Sequence, residues 1–338
     1  MKRTMLILAT LFLFSVFVVG CGSTTEEKSS GQQDQLKVYT SIYPLYDFAN
    51  NVGGDKIIVK NIIPAGAEAH HWEPSPQDVA EMSKADVIIL SGTGVEPWAD
   101  KVLGAIDQTK VKIIYGGQNI QLIEGAKHKH EEHDHDHAKE GVHQSETGKQ
   151  EEDAHHHGDK DPHVWLDPLN AKVMVDNILA GLLAVDEKNK AFYQANAEAY
   201  KKELDKLHEE YQSALAQTKI KEFVTSHAAF GYLAKRYGLT EIPVRGLSAE
   251  SEPSPGSMAE IIKLAKEKNI QHIFFETLVS PKVSQAIAGE LKAETLVLNP
   301  LEGLSDQEIA AGENYQSVMR QNLENLKIAL GVSEGRGY

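Results

Sequence analysis

Three histidines and a glutamate recur at similar places in this chain. His70 lies in Pro64-Ala65-Gly66-Ala67-Glu68-Ala69-His70-His71-Trp72-Glu73-Pro74-Ser75-Pro76, and His163 in Asp161-Pro162-His163-Val164-Trp165-Leu166-Asp167-Pro168. His227 follows Phe223-Val224-Thr225-Ser226, and Glu276 follows Ile273-Phe274-Phe275. Imidazole nitrogens and carboxylate oxygens are the donors that hold a borderline-soft divalent cation. Taken singly, a histidine at a strand end reads as a capping or hydrogen-bonding residue, and Glu276 as a helix-start carboxylate or half of a salt bridge. Three of the four stand just beyond the carboxyl end of a short apolar run, where open α/β sheets place their ligand sites. Two come from each half of the chain, so a shared site would lie in a cleft between two lobes.

A second histidine set is of another kind. Between residues 126 and 161 apolar residues almost vanish, and His128, His130, His133, His135, His137, His143, His155, His156 and His157 alternate with Glu131, Glu132, Asp134 and Asp136. Such a segment buries too little apolar area to offset the entropy of ordering it, which predicts a disordered loop. Many neutral imidazoles on a flexible run bind several ions weakly, without fixed geometry. His130-Glu131-Glu132-His133 is no zinc-protease motif, because that chemistry needs histidines four apart on a helix.

The elements that must position the first set follow from hydrophobic period. Short apolar runs at 36–41, 57–63, 86–91 and 111–114 predict strands, with helices at 75–84 and 97–105 between them. Residues 170–183 and 190–218 have helical period, and the second stretch is long, charged and free of Gly and Pro. It would span roughly 40 Å, which suits a backbone connecting two lobes. Alternation then resumes, with strands near 222–226, 241–247, 272–275 and 295–298 and helices at 227–237, 257–268, 282–292 and 315–330. The expected fold is therefore α/β, two lobes each with a sheet of mainly parallel strands flanked by helices, joined by one long rigid helix. The expected divisions are a signal at 1–20, a tether at 21–35, an N-terminal lobe at 36–169 containing the loop 126–161, linking helices at 170–218, and a C-terminal lobe at 219–338.

The signal reading rests on Lys2, Arg3 and the apolar run from Leu6 to Val19, which ends in Val18-Val19-Gly20-Cys21. The run is shorter than the roughly 20 residues of a bilayer-spanning helix, so cleavage before a lipidated Cys21 is expected. Cys21 is the single cysteine, which excludes an internal disulfide. With 34 Lys and Arg against 49 Asp and Glu, the formal charge is −15. That surface disfavours nucleic acid and anionic lipid and tolerates cations.

In combination these motifs resemble the metal-binding solute-binding proteins of ABC transporters, which capture zinc or manganese outside the cell. The similarity rests on the 66–76 stretch, the 161–168 stretch, Thr225-Ser226-His227-Ala228-Ala229-Phe230-Gly231-Tyr232, and Phe274-Phe275-Glu276 with its following Ser-Pro-Lys-Val turn. It implies a metal site of His70, His163, His227 and Glu276, with histidine rather than carboxylate at the third position as in the zinc branch. Three imidazoles and a carboxylate suit tetrahedral Zn2+, whereas manganese prefers more oxygen. An acidic, histidine-rich insertion also recurs in zinc members. The implied function is capture of Zn2+, its transported ligand, and delivery to a membrane permease on a separate chain. The protein would be a monomer held by lipid on Cys21 at the extracytoplasmic face of the cell membrane. The alternatives are a manganese-binding member, or a surface adhesin with a structural metal site.

Of the remaining histidines, His71 points away from its neighbour and is expected to face the cleft mouth or solvent, His208 to lie at the surface, and His272 to be structural. Trp72, Trp165 and Phe230 flank the ligands, as an aromatic wall or as core. Gly92-Thr93-Gly94 is a strand-end turn rather than a phosphate loop. Catalysis is not expected, because a carboxylate in the fourth position closes the site to water, and Ser226 beside His227 forms no triad.

Overall fold

The computed structural model describes residues 35–125, 160–249 and 253–332. The signal, Cys21, the tether as far as Asp34 and all nine histidines between 128 and 157 lie outside them.

The first sheet is built from β1 (Leu36–Thr40), β2 (Ile57–Asn61), β3 (Val87–Leu90) and β4 (Lys112–Tyr115), all parallel, in the order β2-β1-β3-β4. Its crossovers carry α1 (Tyr43–Gly53), α2 (Pro76–Met82) and α3 (Ala99–Leu103). β3 reads Val-Ile-Ile-Leu and is buried along its whole length, as a central parallel strand covered on both faces must be. α2 begins with a capping box, in which Ser75 and Asp78 satisfy each other's backbone N–H groups.

Two helices follow, α4 (Pro168–Val185) and α5 (Lys190–Leu215). The second sheet contains β5 (Glu222–Thr225), β6 (Thr240–Pro243), β7 (His272–Phe275) and β8 (Glu294–Val297), again all parallel, in the order β6-β5-β7-β8. It is flanked by α6 (Gly231–Tyr237), α7 (Pro255–Glu267), α8 (Lys282–Leu291), the short α9 (Asp306–Ala310) and α10 (Tyr315–Ala329). The two sheets share one strand order, so the halves repeat in topology although no short sequence repeat links them. In each, direction of winding reverses beside the first strand, which opens a crevice at the carboxyl ends.

α5 joins the halves. Its buried residues Tyr193, Ala197, Tyr200, Leu204, Leu207, Tyr211 and Leu215 form a stripe at spacings of three and four, while its other face stays charged. The stripe packs on α1 and α4 of the first half and on α10 and α6 of the second. Tyr200 donates to Asp47 Oδ1 at 2.7 Å, and Tyr211 donates to the Met319 carbonyl at 2.6 Å. One apolar core runs from Val38 in β1 through this stripe to Leu326 in α10.

Two features depart from the sequence expectation. The helix expected at 227–237 begins only at Gly231, because the Glu241 carboxylate accepts from the backbone N–H groups of Ala229 and Phe230 and holds residues 226–230 out of helical conformation. The short α9, started by a capping box between Ser305 and Glu308, had no counterpart among the expected elements, whereas α1 fills the interval between the first two expected strands, with eight of its eleven residues buried, Asp47 among them.

Candidate metal centre

Each ligand candidate is delivered by a turn at the cleft. The segment after β2 carries His70, and its Gly66 adopts φ 77°, a left-handed backbone that glycine takes without steric cost. His163 precedes a single 3-10 turn that feeds α4, whose N-cap Asp167 accepts from the Leu169 N–H at 3.0 Å. The Thr93 hydroxyl holds the Pro162 carbonyl at 2.9 Å, so the Gly92-Thr93-Gly94 turn buttresses the His163 loop. His227 stands two residues beyond β5, and Glu276 directly after β7.

His70, His163 and His227 come together with Glu302, each offering one atom, all four within 4.8 Å of one another. The His163 Nε2 lies 3.1 Å from His70 Nε2, 3.4 Å from His227 Nε2 and 3.2 Å from Glu302 Oε1. Glu302 Oε1 is 3.4 Å from His70 Nε2 and 3.2 Å from His227 Nε2. A tetrahedron with metal–donor bonds of about 2.05 Å has edges of about 3.3 Å. These five edges match it. The side chains of His163 and His227 are fully buried, that of Glu302 is 4% exposed, and that of His70 is 12% exposed, which makes His70 the donor nearest the cleft mouth.

The fourth position thus differs from the sequence expectation, which had Glu276. β7 is hydrogen-bonded next to β5, so the residue ending β7 falls beside the turn that ends β5. Glu276 Oε1 accepts from the His227 backbone N–H at 3.1 Å and pairs with His227 Nδ1 at 2.7 Å. Asp161 does the same for His163, its Oδ1 lying 2.9 Å from the backbone nitrogen and 2.8 Å from Nδ1. A carboxylate here accepts, so Nδ1 carries the hydrogen and Nε2 of the neutral ring turns its lone pair to the centre. Glu302 lies in the turn after β8, again a strand's carboxyl end; the available signal was an acid five residues past the last strand of the second sheet.

The site is electrostatically tense without a cation. Burial disfavours imidazolium at His163, yet the bonds to Asp161 and Glu302 outweigh it and push its pKa up to about 9. His227 is likewise opposed by burial and raised well above the ordinary range by Glu276 and Glu302. Burial works against the Glu302 carboxylate, but His70, His163 and His227 hold it well below the usual range. Protons therefore stand in for positive charge among these carboxylates.

His71 is half exposed and pairs with Glu68 Oε2 at 2.9 Å, while the other Glu68 oxygen accepts from the His70 backbone N–H at 2.8 Å. His208 bonds the Tyr237 hydroxyl at 3.1 Å on the α5 flank and is partly buried rather than free at the surface. His272 lies within β7, 3.8 Å from Glu294. Trp165 packs edge-on against His163 with ring centroids 5.4 Å apart, Trp72 packs on Trp98, and Phe230 is buried in the core.

A family model described as "Zinc-uptake complex component A periplasmic" matches residues 38–329. The chain belongs to this family. It is 38% identical over 327 residues to the high-affinity zinc uptake system protein ZnuA of Bacillus subtilis (strain 168), covering 96% of this chain and 97% of that protein. It is also 38% identical to the zinc-binding lipoprotein AdcA of Streptococcus pneumoniae R6, covering 97% of this chain and 61% of AdcA. The crystal structure of the Zn(II)-bound ZnuA-like domain of S. pneumoniae AdcA superposes with a TM-score of 0.71 at 35% identity, over 88% of this chain and 99% of that domain. The two-lobe α/β expectation agrees with this likeness. The family is one of solute-binding proteins for zinc uptake, not of enzymes.

Proposed function

We propose that this chain captures Zn2+ between its two lobes through His70, His163, His227 and Glu302 and hands it to the permease of an ABC transporter. The observation that carries the reading is the convergence of three imidazole nitrogens and one carboxylate oxygen, all within 4.8 Å of one another, with five of their six separations at the tetrahedral-edge length of 3.1 to 3.4 Å. The donor set sorts the metals: three neutral imidazoles and one carboxylate suit a four-coordinate borderline ion, whereas Mn2+ favours more oxygen donors and a larger coordination number. Four protein donors leave no position for activated water, which suits carriage rather than hydrolysis.

Each ring does one task. His163 and His227, fixed by Asp161 and Glu276, present lone pairs in a buried wall. His70, on the more exposed segment, meets the ion from the cleft side. Release then needs only that outer donor and its loop to withdraw. The nine histidines between 128 and 157 would hold further zinc by weak, exchanging contacts. In the same reading the mature chain begins at a lipidated Cys21, and the monomer works at the outer face of the cell membrane.

Competition titration against a chromophoric chelator tests this. Zinc should bind tightly with a stoichiometry of one at the cleft, and His163→Ala should weaken that event by orders of magnitude. A tight event indifferent to His163→Ala would contradict the proposal.

A further inference from the structure

Glu302 reaches the centre from an unusual piece of backbone. Leu301, fully buried, has φ 60°, in the left-handed region where a branched side chain meets the following carbonyl. Such strain persists only when its surroundings over-determine it. Here a buried pair of asparagines does so. Asn322, on α10, accepts from the Asn299 backbone N–H at 2.8 Å and donates to the Asn299 carbonyl at 2.7 Å. The Asn299 side chain in turn accepts from the Leu301 N–H at 2.8 Å, a local turn that sets the next residues' course. Its amide nitrogen donates to Glu308 Oε1 at 2.9 Å and to the Thr277 hydroxyl at 3.2 Å, so the amide cannot rotate without losing bonds. Asn299 and Asn322 are 4% and 1% exposed.

We propose that the Asn299–Asn322 pair is a positioning device for the fourth zinc donor: it locks Leu301 in left-handed backbone and thereby aims the Glu302 carboxylate at the three imidazoles. This rests on the reading that Glu302 ligates zinc. Neither asparagine touches the ion. Their effect passes through the turn, and removing them lets residues 299–302 relax to ordinary backbone, carrying the carboxylate away while the three histidines stay.

The test compares Asn322→Ala, Leu301→Val and Glu302→Ala with the wild-type chain. Leu301→Val leaves the amide pair intact but puts a β-branched residue where φ is positive, which opposes the same turn from the other side. Supporting groups around metal sites typically contribute about 10- to 100-fold in affinity. Both variants should lose zinc affinity in that range by chelator competition. With Co2+ as probe, their visible absorption should change to that of Glu302→Ala, a signature that mere loss of stability would not produce. Should Asn322→Ala not fold, Leu301→Val decides alone. Affinities within about twofold of wild type, or weakened binding with the wild-type Co2+ spectrum, would overturn the proposal. A Glu302→Ala protein that binds zinc as wild type would remove the underlying reading, and the positioning role with it.

Discussion

Glu276 and Glu302 separate two jobs that look alike in a sequence. Both are buried acids at strand ends, yet one holds the far side of a histidine ring and the other stands among the ring nitrogens. Glu302→Ala should therefore cost more zinc affinity than Glu276→Gln, because glutamine keeps an oxygen that accepts from His227 Nδ1; chelator competition on both proteins measures the order. That His70, His163 and His227 would converge was legible because each lies in a distinctive motif. Glu302 was not, since its neighbours Leu301 and Gly303 carry no motif and its approach depends on distant asparagines. The raised pKa of His163 bears on metal uptake. Zinc needs the neutral ring, so at pH 7.5 binding must expel the proton that Asp161 and Glu302 retain. Affinity should keep rising from pH 6 to about 9, above the range expected of an unperturbed imidazole at about 6.5. Calorimetry in buffers of different ionisation enthalpy should find protons released at pH 7.5, and no release would remove His163 from the coordination set.

At the scale of elements, strands were the most readable part, because a parallel strand covered on both faces is a short unbroken apolar run, as in β3. The bridging α5 was equally plain, through its length and one apolar stripe. The turns were not. What shapes the 298–304 segment is tertiary: Trp165 Nε1 donates to the Pro300 carbonyl at 2.8 Å, Tyr43 N–H to the Glu302 carbonyl at 3.3 Å, and Gly66 N–H to the Leu304 carbonyl at 3.0 Å. The His70 loop thus docks directly on the Glu302 turn. Gly303 permits that approach, since a Cβ there would lie 3.2 Å from Leu278 Cδ1 and 3.4 Å from the Ala67 carbonyl. A branched residue overfills the contact, and overpacking typically costs about 1–3 kcal/mol. Gly303→Val should accordingly weaken zinc binding by at least about fivefold, read by the same competition assay, with the His-rich segment irrelevant to the loss.

For the whole molecule, the continuous core across α5 makes the two halves one mechanical body, so the charge state of the cleft should register in global stability. The folded pKa of His163, about 9, exceeds the unfolded value of about 6.5. Its contribution is therefore fully present below pH 6.5 and lost as pH rises through 9. Glu241, raised to about 7 by burial, adds loss of the same sign at lower pH. Metal-free protein should melt at progressively lower temperature from pH 6.5 to 9.5, while zinc, which replaces the protons, should flatten that slope; scanning calorimetry with and without the ion checks it. Deleting residues 126–159 should remove only weak zinc equivalents and leave the single tight one.

The most direct measurement is a crystal structure of the zinc-loaded protein with anomalous scattering recorded at the zinc edge. One ion should appear between the lobes, about 2.0–2.1 Å from Nε2 of His70, His163 and His227 and about 2.0–2.2 Å from a Glu302 oxygen, with Glu276 still bonded to Nδ1 of His227. An ion held by Glu276, or one whose coordination omits Glu302 or any of the three histidines, would contradict it.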